Sequence, residues 1–333
     1  APLVDRVPKQ RLAAIALIAL GAASLIGAAG HLVTLAVFSL LVGAAIAVLN
    51  PALSAEAADR FPDGPSAGRA ATLVTAFQSL TAMLAAPIVA LPALLWGWQG
   101  DLTAVTVVSV VLACVLLVRG GAWDRRGEPT SPETSRPGYF ATFKKLARIP
   151  GAVPLVLIGS MRSAAFMGYL AYLAAFYGER FGLRPEVFAL VWTVSGTSFF
   201  FGNLLTGRWA NSGGRLSPER VLVCCLVAVL AAMTGFFFVE SLPLAVALTA
   251  ILGAGHASVA ACVVTLLVRR CGDLRGAALS LNAAGMSLGI FAGAALGGVG
   301  LGLAEYPGAA AVFVVLTAVP LALAYPAIRD RLQ

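Results

Sequence analysis

The chain has 333 residues, of which 59% are hydrophobic and 11% charged, with a formal net charge of +8. A soluble domain carries roughly 25% charged residues, so this composition excludes a water-soluble globular protein. The positive balance is no nucleic-acid footprint either, because the bases sit in short segments between apolar runs, where they set orientation in a bilayer. Cys114, Cys224, Cys225, Cys262 and Cys271 have neither Cys-x-x-Cys nor Cys/His spacing, so no disulfide framework and no metal site is implied.

A helix needs about 20 apolar residues to cross the hydrocarbon core. Ten stretches reach that length: 11–30, 32–55, 70–95, 102–119, 152–176, 187–207, 219–238, 243–268, 275–303 and 308–327. Backbone groups in lipid must be satisfied within the segment, so all ten are expected to be helices and the chain an all-α polytopic membrane protein. It begins at Ala1 with neither an initiator Met nor a signal-peptide pattern, and is expected to be a fragment or a processed form.

Assigning the intervening loops alternately puts twenty of the 23 bases on one side and only Arg180 and Arg184 on the other. The crowded side is then cytoplasmic, and so are both termini. The longest loop, 120–150, mixes Pro, Ser, Thr, Gly and charge and reads as a linker. Its second half, Tyr139 to Ile149, has the pattern of an amphipathic helix lying on the membrane surface. The expected organisation is an N-terminal lobe over 1–119, a cytoplasmic linker over 120–150 and a six-helix C-terminal lobe over 151–333.

Four spans before the linker and six after it are explained by a repeat. Ala1-Pro-Leu-Val-Asp5-Arg6-Val7-Pro8-Lys9 and Gly207-Arg-Trp-Ala-Asn211-Ser-Gly-Gly-Arg215 lie 206 residues apart. Each is a small residue, three others, Asp or Asn, and a closing base, set between apolar helices. In the second copy two spans separate the linker from the motif. Two N-terminal helices are therefore expected to precede this chain in a protein of two six-helix halves.

On these residues the sequence resembles the major facilitator superfamily, whose loop between helices two and three reads Gly-x-x-x-Asp-Arg-x-Gly-Arg-Arg. Ala1 takes the first Gly position, Asp5, Arg6 and Lys9 match, and Pro8 and Gln10 depart; the second copy matches at Gly207, Gly214 and Arg215 and departs at Asn211 and Ser212. The resemblance implies that about ten of the fold's twelve helices, three to twelve, are present. It also implies a multi-pass bacterial-type inner membrane protein, a small-molecule substrate, a proton as coupling ion, no cofactor and a monomer. Asp5, Arg6, Lys9, Gly207, Asn211 and Arg215 become a gating latch, with plain orientation by positive charge the simpler alternative for Lys9. The segment Ala82-x-x-x-Ala86-Pro87-x-x-Ala90 resembles the Gly-x-x-x-Gly-Pro-x-x-Gly of the drug:proton antiporter branch and leans the reading toward efflux.

Arg162 falls about mid-span, and an intramembrane charge costs at least about 2.5–3.5 kcal/mol on insertion scales. Phe166 and Tyr169 share its helical face. The functional expectation is a cavity anchor for an anionic or hydrogen-bonding part of a substrate; the structural alternative is a pair with backbone carbonyls or with a carboxylate from the two helices expected to precede this chain. His256, deep in another span, is a candidate proton carrier or a neutral imidazole bonded to a hydroxyl such as that of Ser258. Gln78, flanked by Thr75 and Thr81, is a further cavity candidate, although polar residues in spans more often join helices. The ladder Gly285-x-x-x-Gly289-x-x-x-Gly293 is expected to be a close-packing face.

All fifteen acids fall in loops or near span ends, Glu56 and Asp59 coming closest to a span interior. No nucleotide-binding loop, His-Glu-x-x-His or Ser/His/Asp set is present, so no enzymatic site is expected. The expected function is alternating-access export of a small molecule by proton antiport. Sugar or organic-acid symport or uniport is the alternative within transport, and a non-transporting scaffold, sensor or truncated gene product the alternative outside it.

Overall fold

The computed structural model describes residues 9–60, 81, 92–93, 95–118, 139–211 and 217–328. Asp5, Arg6, Gln78, Ala82, Ala86, Pro87, Ala90 and Arg215 lie outside the described residues. Every regular element among the described residues is helical. These are α1 (Lys9–Gly27), α2 (Leu32–Arg60), α3 (Leu95–Val118), α4 (Tyr139–Ala147), α5 (Ala152–Phe181), α6 (Pro185–Asn211), α7 (Pro218–Phe236), α8 (Leu242–Cys271), a single 3₁₀ turn (Gly272–Leu274) and α9 (Arg275–Ile328). Among the described residues seven helices are long and apolar enough to cross a bilayer, and α2 carries a shorter apolar run, Leu32–Ile46. Their outer faces carry exposed Leu, Val and Phe side chains, such as Leu32, Val118, Phe291 and Leu303. In water such faces would drive aggregation, whereas in a bilayer they meet acyl chains.

Two compact units contain these helices, α1–α3 in the first and α4–α9 in the second. In the first, α1 packs on α2 through small residues, with Gly27 lying directly against Phe38. Thr106 of α3 donates its hydroxyl hydrogen to the Gly21 carbonyl of α1 at 3.0 Å. The expected loop at 96–101 is instead the opening of α3, but the backbone turns there: Gly97 has φ +68°, a conformation only glycine adopts without steric cost.

In the second unit α5 is the central helix. It packs most extensively on α9, while α6 packs on α8 and α7 bridges α8 and α9. The glycine ladder of α9 finds its counterpart in Ser160, Ala164 and Gly168 of α5, which repeat at the same four-residue spacing. Gly285 lies against Ser160, Gly289 against the Ser160–Ala164 backbone, and Gly293 against Ala164 and Gly168. Apolar burial offers little drive between helices already in lipid, so close backbone approach supplies the attraction through van der Waals contact. Tyr172 closes the far end of the seam by donating to the Ala294 carbonyl at 2.7 Å.

The two expected spans 275–303 and 308–327 are the two helical arms of α9, separated by a kink at Ala304 and at Glu305, whose φ is +52°. The sequence Glu305-Tyr306-Pro307-Gly308 interrupts the apolar pattern at that point, and Gly300 and Gly308 allow the arms to touch backbone to backbone. At the helix ends Glu219 of α7 pairs with Arg270 of α8 at 3.5 Å, and Arg180 in the last turn of α5 pairs with Glu240 before α8 at 3.6 Å. Each ion pair joins residues that the loop alternation puts on the same side of the membrane.

Candidate functional site

About three turns of α5 place Arg162, Phe166, Tyr169 and Leu173 on one buried stripe. Arg162 is 2% exposed. Its Nη1 donates to the His256 carbonyl of α8 at a long 3.5 Å, while its Nε has no hydrogen-bond partner among the described residues. No carboxylate among the described residues pairs with it. A guanidinium offers five donors and removing a charge from water costs several kcal/mol, so one long hydrogen bond leaves this group far from satisfied.

The structure brings Arg162 and His256 together, which the sequence treated separately. The His256 ring is 1% exposed and packs on Phe166, ring centroids 4.7 Å apart. Neither ring nitrogen has a partner among the described residues. Ser258 is not its partner. Two residues along a helix is more than half a turn around it, so Ser258 faces α6 and there accepts a hydrogen bond from Thr206 at 2.8 Å. Phe166 also stacks on Phe199 of α6 at 5.7 Å, which gives the polar pair an aromatic wall.

Tyr169 does not point into this polar pair. Its hydroxyl meets Thr249 of α8 at 3.0 Å, and Tyr177 meets the same threonine at 2.9 Å. Thr249→Val keeps the shape and leaves two buried phenols unpaired, a loss of about 1–3 kcal/mol for each. Thermal unfolding of the purified variant should show it, and Thr249→Ser should recover most of the loss.

Ser163 Oγ and Asn282 Oδ1 are likewise buried without partners among the described residues. Asn282, on α9, lies against Gly159, one turn before Arg162, and its amide Nδ2 reaches only the Met286 sulfur at 3.5 Å. A native interior normally satisfies nearly all such groups, so the partnerless donors and acceptors of α5, α8 and α9 make this the candidate site. Phe199, Thr249 and Ser163 were not singled out from sequence. Thr249 had a readable signal: it precedes His256 by seven residues, two turns of one helix face. Among the described residues no His/Cys/Asp/Glu group could hold a metal ion. Of the repeated loop motif, Gly207 and Asn211 end α6, and Lys9 begins α1.

Long apolar helices with apolar outer surfaces define an integral membrane protein, and its spans hold buried polar groups. The family model described as the Major Facilitator Superfamily matches residues 1–215 and, separately, 155–331, and the chain belongs to that superfamily of membrane transporters. No curated protein matches by sequence. Solved structures share the fold at low identity. A bacterial homolog of the human lysosomal transporter Spinster, inward-facing and unoccupied, is 15% identical with a TM-score of 0.71, over 99% of this chain and 85% of that one. The Escherichia coli fucose:proton symporter FucP is 16% identical with a TM-score of 0.57, over 97% and 84%.

Proposed function

We propose that the chain exports a small, partly apolar solute bearing an anionic or hydrogen-bond-accepting group, in exchange for protons, by alternating access. The observation that carries this reading is Arg162: a buried guanidinium with one long hydrogen bond and no carboxylate among the described residues. A solute anion would supply the missing charge and the missing acceptors at once. Phe166 and Phe199 offer apolar contact beside it, and His256 is the adjacent group proposed to carry the proton. Tyr169 shapes the wall through Thr249, and Gln78 is a proposed solute contact of the N-terminal lobe.

The direction rests on the resemblance of Ala82, Ala86, Pro87 and Ala90 to the antiporter motif. Asp5, Arg6 and Lys9, with Gly207, Asn211 and Arg215, act as gating motifs in this reading. The loop charge supports an inner-membrane protein with both ends of this chain in the cytoplasm. Symport or uniport of an organic acid or sugar is the second reading. Arg162 suits an organic acid equally well, and one protein of the same fold is a fucose:proton symporter.

Proton flux in proteoliposomes, challenged with organic anions, sugars and lipophilic cations, tests both. Protons moving opposite to an added organic anion support export by antiport, and protons moving with it support symport. No flux from folded protein with any compound would end both proton-coupled readings. His256→Gln should flatten the pH dependence of flux; a profile matching that of the parent would remove His256 from the proton path.

A further inference from the structure

We propose that the groove between α4, α5 and α9 holds an acyl chain of an anionic phospholipid, whose phosphate is gripped by Lys144, Lys145 and Arg148. The groove encloses about 280 Å³ and is lined by Phe143, Leu146, Ala147, Ala152, Val153, Val156 and Leu281, every one apolar. A purely apolar hollow gives water no hydrogen bonds. Phe143 is 40% exposed and Val153 41%, so the groove opens at the surface of the unit. In a membrane protein that opening meets hydrocarbon.

The chain fixes this geometry locally. Phe143, Leu146 and Ala147 occupy one face of α4 at i, i+3 and i+4. Leu146 is buried in a core shared with Leu155, Leu222 and Leu266, which pins the helix. A tight turn follows, with Gly151 at φ +76° reversing the chain into α5. This turn sets α4 against the end of a membrane span, where an amphipathic helix lies at the level of the lipid headgroups.

The opposite flank of α4 supplies the charge. Lys144, Lys145 and Arg148 are exposed, and none has an ion-pair partner among the described residues. Lys144 lies on α4 and Arg148 in the turn directly after it, next in sequence to Ala147, which lines the groove. Long basic side chains at a membrane surface reach along the helix to place their charge at phosphate depth. A lipid with an anionic headgroup satisfies both halves of the site, the bases with its phosphate and the hollow with its tail.

The test uses the full chain in phosphatidylcholine nanodiscs with a trace of photoreactive lipid carrying a diazirine on its acyl chain. A phosphatidylglycerol probe should label peptides containing Phe143, Val153 and Leu281, and a phosphatidylcholine probe should do so about tenfold less or weaker still. The variant K144Q/K145Q/R148Q should lower the phosphatidylglycerol labelling by about tenfold or more. Labelling of the lipid-facing Val107 and Val111 on α3 should not change, which reports that the protein is folded. Val153→Trp, which fills the groove and keeps the bases, should also remove the label. Equal labelling by the two headgroups would mean ordinary surrounding lipid and overturn the proposal, as would labelling indifferent to the three charges. A cross-link between two copies through this groove, in place of a lipid adduct, would overturn it as well.

Discussion

Arg162→Met is expected to stop transport and leave the protein as stable as its parent or more so. The combination separates a binding role from a structural one. If the guanidinium held the fold together through a buried ion pair, removing it would strand a charge and cost about 3–5 kcal/mol. Arg162 has no such pair among the described residues, only the 3.5 Å hydrogen bond to the His256 carbonyl. The folded protein therefore bears most of the desolvation cost of this charge without recovering it. An apolar side chain of similar length ends that cost, and such exchanges are often neutral or stabilising by about 1–4 kcal/mol.

Transport should respond in the opposite direction. Truncating one partner of a buried, hydrogen-bonded charge pair costs about 2–5 kcal/mol, which is roughly 30- to 4,000-fold in affinity. Arg162→Lys keeps the charge and loses the planar fork, so it should retain weak transport with a raised half-saturation concentration. Thermal unfolding in nanodiscs and solute flux in proteoliposomes read the two quantities separately. A large fall in unfolding temperature with Arg162→Met would reassign the residue to the fold, and unchanged flux would take it out of the substrate site.

The stripe Arg162–Phe166–Tyr169 was legible because a charge inside an apolar run is conspicuous and the helical period then names its neighbours. The break in α9 was legible for a related reason: Glu305 and Pro307-Gly308 interrupt an otherwise unbroken apolar pattern. The meeting of Arg162 with His256 was not legible. In a soluble helix the apolar stripe points to the core, but a membrane helix is apolar on its lipid face too, so periodicity does not say which neighbour a face meets. The same ambiguity hid the partners of Thr249, whose place on the His256 face was readable but whose one hydroxyl serves two tyrosines of α5. The glycine ladder showed that a close contact exists without showing with what, since its counterpart is written in three different small residues, Ser160, Ala164 and Gly168.

That seam leads to the second large effect, at Gly293. A Cβ placed there would lie 2.6 Å from the Ala164 carbonyl carbon and 2.7 Å from its Cα, and nearer still to the carbonyl oxygen. These are backbone atoms of a facing helix and cannot rotate away, so even Gly293→Ala must push α5 and α9 apart. Overpacking a tight interior costs about 1–3 kcal/mol, and Gly293 belongs at the upper end because the displacement spreads to Gly289 and Gly168 in the same contact. Gly293→Leu should fail to accumulate as folded protein. Gly43 in α2 provides the contrast, because a Cβ there meets nothing within 4 Å. Gly43→Ala should raise stability by up to about 0.5–1 kcal/mol through helix propensity alone. Thermal unfolding of the two alanine variants in the same nanodiscs decides the matter. Opposite shifts are expected, and equal shifts would mean that the α5–α9 seam is looser than backbone contact. The seam also runs alongside Arg162, since Ser160, Ala164 and Gly168 face α9 on the helix that carries it. A parted seam would therefore reduce transport by displacing the guanidinium, and Gly293→Ala should lower flux even at temperatures where the variant remains folded.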